Sequence, residues 1–290
     1  MVEDAPAKVN LTLSVLGRRP DGYHEIESLV VFADFGDRLH FVPGGPGGQC
    51  TLTTRGANAA HAGDGPDNLV LKAAGALAAL SPSLVSGAFR LDKKLPVAAG
   101  LGGGSADAAA ALRLIAQANG ITREDPRLYA AARATGADVP VCLDPRTRVM
   151  RGIGEVLSPP LHLPPLPAVL VNSGVALATK AVFAGWKAPA QRAAVVDLTG
   201  DLAPTGRDQL LELLSAQSND LEASAIALAP AVAKTLAALR ALPGCGLARM
   251  SGSGATCFGL FASATAANAA AKALRSSYPS WWVRASVLGA

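Results

Sequence analysis

An α+β fold is the class this sequence predicts, on three observations. Half of the 290 residues are hydrophobic and only 17% are charged, with a mean hydropathy of +0.30, which supplies a sizeable core and excludes a disordered chain. Short apolar or alternating strand patterns and Ala/Leu-rich helical patterns follow one another along the whole chain. They do so without the regular alternation of a doubly wound parallel sheet. The length fits one large or two modest domains, and no repeat of solenoid or propeller period is present.

Between residues 8 and 15, Lys8, Asn10, Thr12 and Ser14 alternate with Val9, Leu11, Leu13 and Val15, which predicts a strand with one polar face. Side chains repeat every second residue, so Lys8 and Asn10 project from one face about 7 Å apart and can serve one site. Pro20-Asp21-Gly22 is a turn signal, and residues 26–32 return as a second apolar strand, a hairpin that sets Tyr23 and His24 beside its tip. Loops at 44–48 and 63–66 precede a helical pattern over 68–80 and a short strand over 89–91. Residues 105–119 read as a helix, with Ser105 as N-cap, Asp107 in the first turn and Gly120 just beyond the end. A helix over 123–135 and a short strand over 138–143 come next. The proline-rich stretch 158–167 is the best linker, dividing the chain into domains 1–157 and 158–290. Beyond it the patterns predict a strand at 168–172, helices at 207–216, 221–227 and 231–241, strands at 247–250 and 256–261, and a last helix and strand within 264–288.

Several classes of function are excluded early. Lys plus Arg exceed Asp plus Glu by 26 to 22, and the pI near 9.0 suits an anionic ligand without naming one. Cys50, Cys142, Cys245 and Cys257 fit neither a C-x-x-C redox pair nor a zinc ribbon, and read as buried free thiols. The N-terminus lacks the basic and apolar regions of a secretory signal, and the longest uncharged stretch, 156–179, is broken by five prolines, so no membrane span is expected. A cytoplasmic protein follows as the expectation.

The most informative segment is Leu95-Pro96-Val97-Ala98-Ala99-Gly100-Leu101-Gly102-Gly103-Gly104-Ser105-Ala106-Asp107. Four glycines within the five positions 100–104, directly before a helix, let backbone N–H groups approach an anion while the helix dipole favours its charge. A P-loop would need a Gly-Lys-Ser/Thr ending, and the Rossmann fingerprint would need glycine where Ser105 stands.

Pro-x-x-x-Gly-Leu-Gly-Gly-Gly-Ser before a helix resembles the phosphate loop of the GHMP kinase superfamily of galactokinase, homoserine kinase, mevalonate kinase and phosphomevalonate kinase. Four further segments extend the resemblance: Pro6-Ala7-Lys8-Val9-Asn10-Leu11, Arg19-Pro20-Asp21-Gly22-Tyr23-His24, Gly136-Ala137-Asp138-Val139-Pro140 and Ser251-Gly252-Ser253-Gly254-Ala255. In this order they resemble the branch that uses ATP to phosphorylate the 2-hydroxyl of a cytidyl diphosphate-linked methylerythritol, a step of isoprenoid precursor synthesis by the non-mevalonate route. The resemblance implies an N-terminal ATP-binding domain like ribosomal protein S5 domain 2 and a C-terminal ferredoxin-like, substrate-binding domain. It assigns Lys8 and Asp138 to catalysis, the carboxylate taking the hydroxyl proton and the ammonium orienting it and offsetting γ-phosphoryl charge. Pro96, Val97, Ala98, Ala99, Gly100, Leu101, Gly102, Gly103, Gly104, Ser105 and Ala106 fall to ATP, and Asn10, Tyr23, His24, Thr179 and Phe183 to the substrate, with Tyr23 and His24 as the cytidine-recognising pair. Ala98 and Ala99 stand where members often have glycine, and Ala106 where a second serine is frequent. Mg²⁺ is implied with ATP, held largely by phosphate oxygens and water because no protein residue stands out as a ligand.

Two other readings stay open on the residues. Another kinase of the superfamily, acting on a sugar or mevalonate-like alcohol, would have no base for Tyr23 and His24 to meet. A nucleotide- or RNA-binding module without catalysis would need a basic surface interleaved with aromatics. With Trp186, Trp281, Trp282 and three tyrosines no such stripe is visible, so neither a nucleic acid nor a membrane partner is expected.

Overall fold

The computed structural model describes residues 1–188 and 206–289. They form two compact units, one of Met1–Ala7, Phe35–Val97 and Gly102–Pro145, the other of Lys8–Asp34, Ala98–Leu101 and Arg146–Ala290. The sequence marks a single cut at residue 157; the units interleave instead, because β1 (Val2–Asn10) and β3 (His24–Pro46) are each long enough to contribute to both.

In the first unit, β5 (Val85–Asp92) pairs antiparallel with the second part of β3 and parallel with β4 (Thr51–Arg55). At Gly36 a Cβ would lie 2.1 Å from the carbonyl oxygen of Ala5, so β1 and β3 approach at a distance only glycine permits. Helices α1 (Ala59–Ala62), α2 (Leu69–Leu80), α3 (Gly103–Ala118), α4 (Pro126–Thr135) and α5 (Val139–Leu143) complete the unit. Asn68 caps α2 by accepting the Val70 N–H at 3.0 Å. Every residue of α3 from Ala106 to Ala116 is buried, which its alanines allow by admitting neighbours on all sides. Gly120 follows it with φ +63, and the bonds Ile121 N to Ala116 O and Gly120 N to Gln117 O close the end as a Schellman motif.

The second unit holds a four-stranded antiparallel sheet in the order β11 (Trp282–Leu288), β8 (Leu166–Asn172), β10 (Cys257–Phe261), β9 (Cys245–Met250). Helices α6 (Thr179–Ala184), α7 (Arg207–Ser215), α8 (Glu222–Leu228) and α9 (Ala231–Arg240) separate β8 from β9, and α10 (Ala264–Ser277) separates β10 from β11. Strand-helix-strand-strand-helix-strand in this spatial order is the ferredoxin-like topology. The first part of β3 pairs with β2 (Ser14–Arg18) and with β6 (Arg148–Gly152), and β6 pairs in turn with β7 (Val156–Leu157).

Three local expectations are corrected. The strand expected over 8–15 is two, because β1 ends at Asn10 and the ladder is interrupted. There Thr12 Oγ1 accepts the Leu29 N–H at 3.0 Å, and Leu13 bridges to residues 218–220 instead. Residues 139–143 form helix α5, with Asp138 at its N-cap, where Pro140 presets the first turn; five buried apolar residues carry no periodicity to separate strand from helix. Helix α3 begins at Gly103, with Gly102 rather than Ser105 at its N-cap, since glycine takes the left-handed φ of +59 found there.

At the base of α3, Lys93 Nζ lies 2.5 Å from Asp37 Oδ2 and 2.6 Å from Asp107 Oδ2, all three side chains essentially inaccessible. Asp37 Oδ1 also accepts the N–H groups of Lys94 and Leu95. Burial, opposed by the Lys93 charge, pushes the Asp107 carboxyl up to about 7. Removing Lys93 takes its positive charge from two buried carboxylates. Lys93→Met is therefore expected to cost about 3–5 kcal/mol of unfolding free energy in urea titration. Asp107→Asn, which leaves Lys93 balanced by Asp37, should cost clearly less, and equal losses would refute the charge argument.

Candidate active site

Residues of the glycine-rich segment fall in each unit, 102–106 in the first and 98–101 in the second. In the first unit, Gly102 caps α3 without a side chain, so the N–H groups of the first turn receive no side-chain acceptor, and the first intrahelical bond is Ala106 N to Gly102 O at 2.8 Å. A Cβ at Gly103 would lie 3.2 Å from Lys93 Nζ. The start of a sixteen-residue helix, stripped of side chains, fits the phosphates of a nucleotide by its free donors and its dipole. Pro96 and Val97 lead in to the loop, with Val97 exposed.

In the second unit, residues 99–101 are each pinned through their carbonyl oxygens. Ala99 O accepts the Thr256 N–H at 3.0 Å, Gly100 O accepts the Ser251 hydroxyl at 2.8 Å, and Leu101 O accepts the Lys8 N–H at 2.9 Å. Ala98 holds φ +51 and Gly100 φ +74. At Gly100 a Cβ would stand 2.3 Å from Ser251 O and 2.9 Å from Gly254 N, so glycine is required by space as well as by backbone.

Lys8 and Asn10 are brought together as their spacing predicts. Lys8 Nζ donates to Asn10 Oδ1 at 3.1 Å, and Asn10 Nδ2 donates to Ser28 Oγ at 2.7 Å, which donates to Thr12 O at 2.5 Å. The polar face is not solvated, for Lys8 is 3% and Asn10 1% exposed. A buried ammonium demands specific partners, so an incidental surface lysine is ruled out at this position. Asn10 N donates to Ser251 Oγ at 3.1 Å, and the 251–253 turn is held by Asn219 Nδ2, which donates to Met250 O and Gly252 O, both at 2.8 Å.

Tyr23 and His24 lie at the β2–β3 hairpin, where Tyr23 is 58% exposed. The His24 ring packs 5.0 Å from Phe183 at 33° and 5.8 Å from Trp186 at 83°. Burial first, then the Arg18 charge, lowers the His24 pKa from its ordinary value, which keeps the imidazole neutral, with one donor and one acceptor. Thr179, exposed at the start of α6, shares a hydrogen bond of 2.9 Å with Ser253. Asp138 is half-buried and, although at the N-cap of α5, makes no side-chain cap bond, so its carboxylate is not used to terminate that helix.

Sequence reasoning passed over Ser28, Asn219, Trp186 and the Lys93–Asp37–Asp107 cluster. For Asn219 a signal existed in Ser218-Asn219-Asp220-Leu221-Glu222, which fits the family pattern. Trp186, three residues after Phe183, could have been paired with it. Ser28 and the ion cluster depend on chain segments far apart and leave no local pattern.

Gly100→Ala is expected to lower the melting temperature more than Gly22→Ala. Both positions have positive φ, +74 and +88, and pay about 1–2 kcal/mol of left-handed strain, but nothing lies within 4 Å of a Cβ at Gly22. Equal melting of the two variants would show that the Ser251 carbonyl yields.

Residues 68–144 match the family model for the GHMP kinases N terminal domain and residues 201–280 that for GHMP kinases C terminal. A 4-diphosphocytidyl-2-C-methyl-D-erythritol kinase of Methylorubrum extorquens is 56% identical over 281 residues, covering 96% of each chain. One of Rhodopseudomonas palustris is 54% identical over 292 residues, covering 99% of this chain and 96% of the relative. The crystal structure of a 4-(cytidine 5'-diphospho)-2C-methyl-D-erythritol kinase superposes with a TM-score of 0.78 at 35% identity over all of both chains. A homoserine kinase from Cytophaga hutchinsonii, 20% identical, shares the fold with a TM-score of 0.72 over 99% of this chain and 94% of its own. The chain belongs to the 4-diphosphocytidyl-2-C-methyl-D-erythritol kinase family of the two-domain α+β GHMP kinases.

Proposed function

We propose that this chain transfers the γ-phosphoryl of ATP to the 2-hydroxyl of 4-diphosphocytidyl-2-C-methyl-D-erythritol, giving the 2-phosphate and ADP within isoprenoid precursor synthesis by the non-mevalonate route. One observation carries the reading beyond the family name. The same chain presents an uncapped, glycine-lined helix N-terminus suited to phosphates and a neutral His24 packed with Phe183 beside an exposed Tyr23, suited to a pyrimidine base. A sugar or mevalonate-like acceptor has no base to occupy that ring cluster.

ATP, when bound, supplies the electrophilic phosphoryl group. The residues Pro96, Val97, Ala98, Ala99, Gly100, Leu101, Gly102, Gly103, Gly104, Ser105 and Ala106 hold its phosphates, the N–H groups at the start of α3 countering negative charge with no reorganisation during reaction. Asp138 accepts the proton of the attacking hydroxyl, and Lys8 offsets charge that develops on the transferred group. Asn10 fixes Lys8 and contacts substrate. Tyr23 stacks on the base, His24 meets its edge, and Thr179 and Phe183 complete that end. Among the described residues no group of three or more His, Cys, Asp or Glu is placed to hold a metal ion; Mg²⁺ is assigned to the nucleotide's phosphate oxygens and water. No described helix is long and apolar enough to cross a membrane, and a cytoplasmic site of action is part of the proposal.

The test is ADP release with Mg-ATP, offering the cytidyl substrate beside galactose, homoserine and mevalonate. Turnover confined to the cytidyl compound is expected; turnover on another alcohol would retain the kinase and discard the cytidine assignment. In the same assay Asp138→Asn should lower kcat by roughly 10²-fold or more while leaving the KM for ATP nearly unchanged. An unchanged kcat would remove Asp138 from the mechanism.

A further inference from the structure

Lys8 is held by Asn10 and Asn10 by Ser28, a residue with no part in the function as proposed. Ser28 lies on β3 opposite Met150 of β6 and is fully buried. Its place is set without Asn10. The β6 ladder holds its backbone, and at the next residue Leu29 O accepts the Leu11 N–H at 2.8 Å while the Leu29 N–H donates to Thr12 Oγ1 at 3.0 Å. The hydroxyl is therefore a fixed point beside the break between β1 and β2.

Hydrogen-bond polarity decides what that hydroxyl can do. Thr12 O lies 2.5 Å from Ser28 Oγ, and a peptide carbonyl only accepts, so the single hydroxyl proton lies between the two oxygens. Toward residue 10 the Ser28 oxygen can then only accept, and the atom that meets it at 2.7 Å is the donor Nδ2 of Asn10. The other atom of the amide, Oδ1, faces Lys8 Nζ at 3.1 Å, and an ammonium only donates. Donors and acceptors thus run in one direction through Lys8, Asn10, Ser28 and Thr12, and a reversed amide would oppose like groups at both of its ends. The same polarity accounts for an amide at position 10. A carboxylate there would set an acceptor against the Ser28 oxygen and would cancel the Lys8 charge, whereas an amide orients the ammonium and leaves its charge whole. We propose that Ser28 is a positioning residue for phosphoryl transfer, fixing the Asn10 amide so that Lys8 is held in place with its full charge. This rests on the assignment of Lys8 to the charge that develops on the transferred group.

The experiment is steady-state kinetics with Mg-ATP and the cytidyl substrate on the unaltered enzyme, Ser28→Thr and Ser28→Val, with kcat taken per folded enzyme as measured by circular dichroism. Threonine and valine are both β-branched and nearly equal in shape, so the pair separates the hydroxyl from the packing. Ser28→Val should show a kcat about tenfold below that of Ser28→Thr, the size of one hydrogen bond beside a charged group, with the same KM for ATP in both. Ser28→Ala, which needs no added room, should fall about tenfold below the unaltered enzyme for the same reason, and it carries the test if the branched side chains prevent folding. Turnover by the unaltered enzyme, together with equal kcat in Ser28→Thr and Ser28→Val or an undiminished kcat in Ser28→Ala, overturns this proposal alone. A fall in kcat matched by an equal rise in the KM for ATP also overturns it, because a distorted site and not a misplaced ammonium would then be the cause. No turnover of the cytidyl substrate by the unaltered enzyme overturns the function and this inference together.

Discussion

Three segments distant in sequence meet at the hydroxyl of Ser251, and the geometry of the second unit's functional residues depends on it. Ser251 Oγ accepts the Asn10 N–H and donates to Gly100 O, while the Ser251 N–H donates to Thr256 O. The serine is 0% exposed, so each bond replaces one to water and none can be dropped without stranding a polar group. One side chain thus sets the end of β1, the entry of the glycine loop and the turn before β10 in mutual register. Gly100 must lack a Cβ for this to happen, because the Ser251 carbonyl occupies the space.

Around that joint the unit spends its buried polar groups on backbone instead of on solvent. The Arg249 guanidinium donates to Leu11 O, Leu214 O and Gln217 O, joining the residue after Asn10 to the segment that precedes Asn219. Burial lowers its pKa to about 10, which still leaves it a cation at neutral pH. Asn219 then takes two carbonyls of the 250–252 turn. Carbonyls satisfied by side chains need no sheet partner, and this is why β1 can end at Asn10 and the chain can run irregularly to Ser14 while remaining buried.

That substitution marks the limit of what was legible in the sequence. The ferredoxin-like strands and helices after residue 166 follow their apolar patterns, since sheet and helix packing there obey ordinary periodicity. So does the Gly120 terminus of α3. The period-two pattern over 8–15 correctly set Lys8 and Asn10 on one face but continued past the break, because alternation reports which side chains share a face and says nothing of where the ladder bonds go. The start of α3 was misplaced for a related reason: Ser105 has good capping chemistry, yet glycines at 102–104 let the helix begin where no side chain caps it. A helix end suited to an anion is an end that local capping rules fail to recognise, so the error itself points to function. The Lys93–Asp37–Asp107 cluster and the interleaving of the units are long-range outcomes with no local signature.

The two kinds of recognition also call for different mechanical behaviour. Phosphate charge is met by backbone dipoles, which help only if they are already aligned, and the loop is accordingly fixed residue by residue through Ala99, Gly100 and Leu101. A base is met by ring faces, which must stay accessible until the ligand arrives. Tyr23 is left 58% exposed at a hairpin whose turn is closed by its own backbone, Arg19 N to Tyr23 O and Gly22 N to Arg19 O. An exposed tyrosine face costs little in the free protein, because its hydroxyl end stays hydrated, and its apolar area becomes binding energy only on stacking. His24, one residue on, is already gripped by Phe183. The two proposed roles therefore fall on rings held differently, the open face of Tyr23 for stacking and the gripped ring of His24 for the base edge.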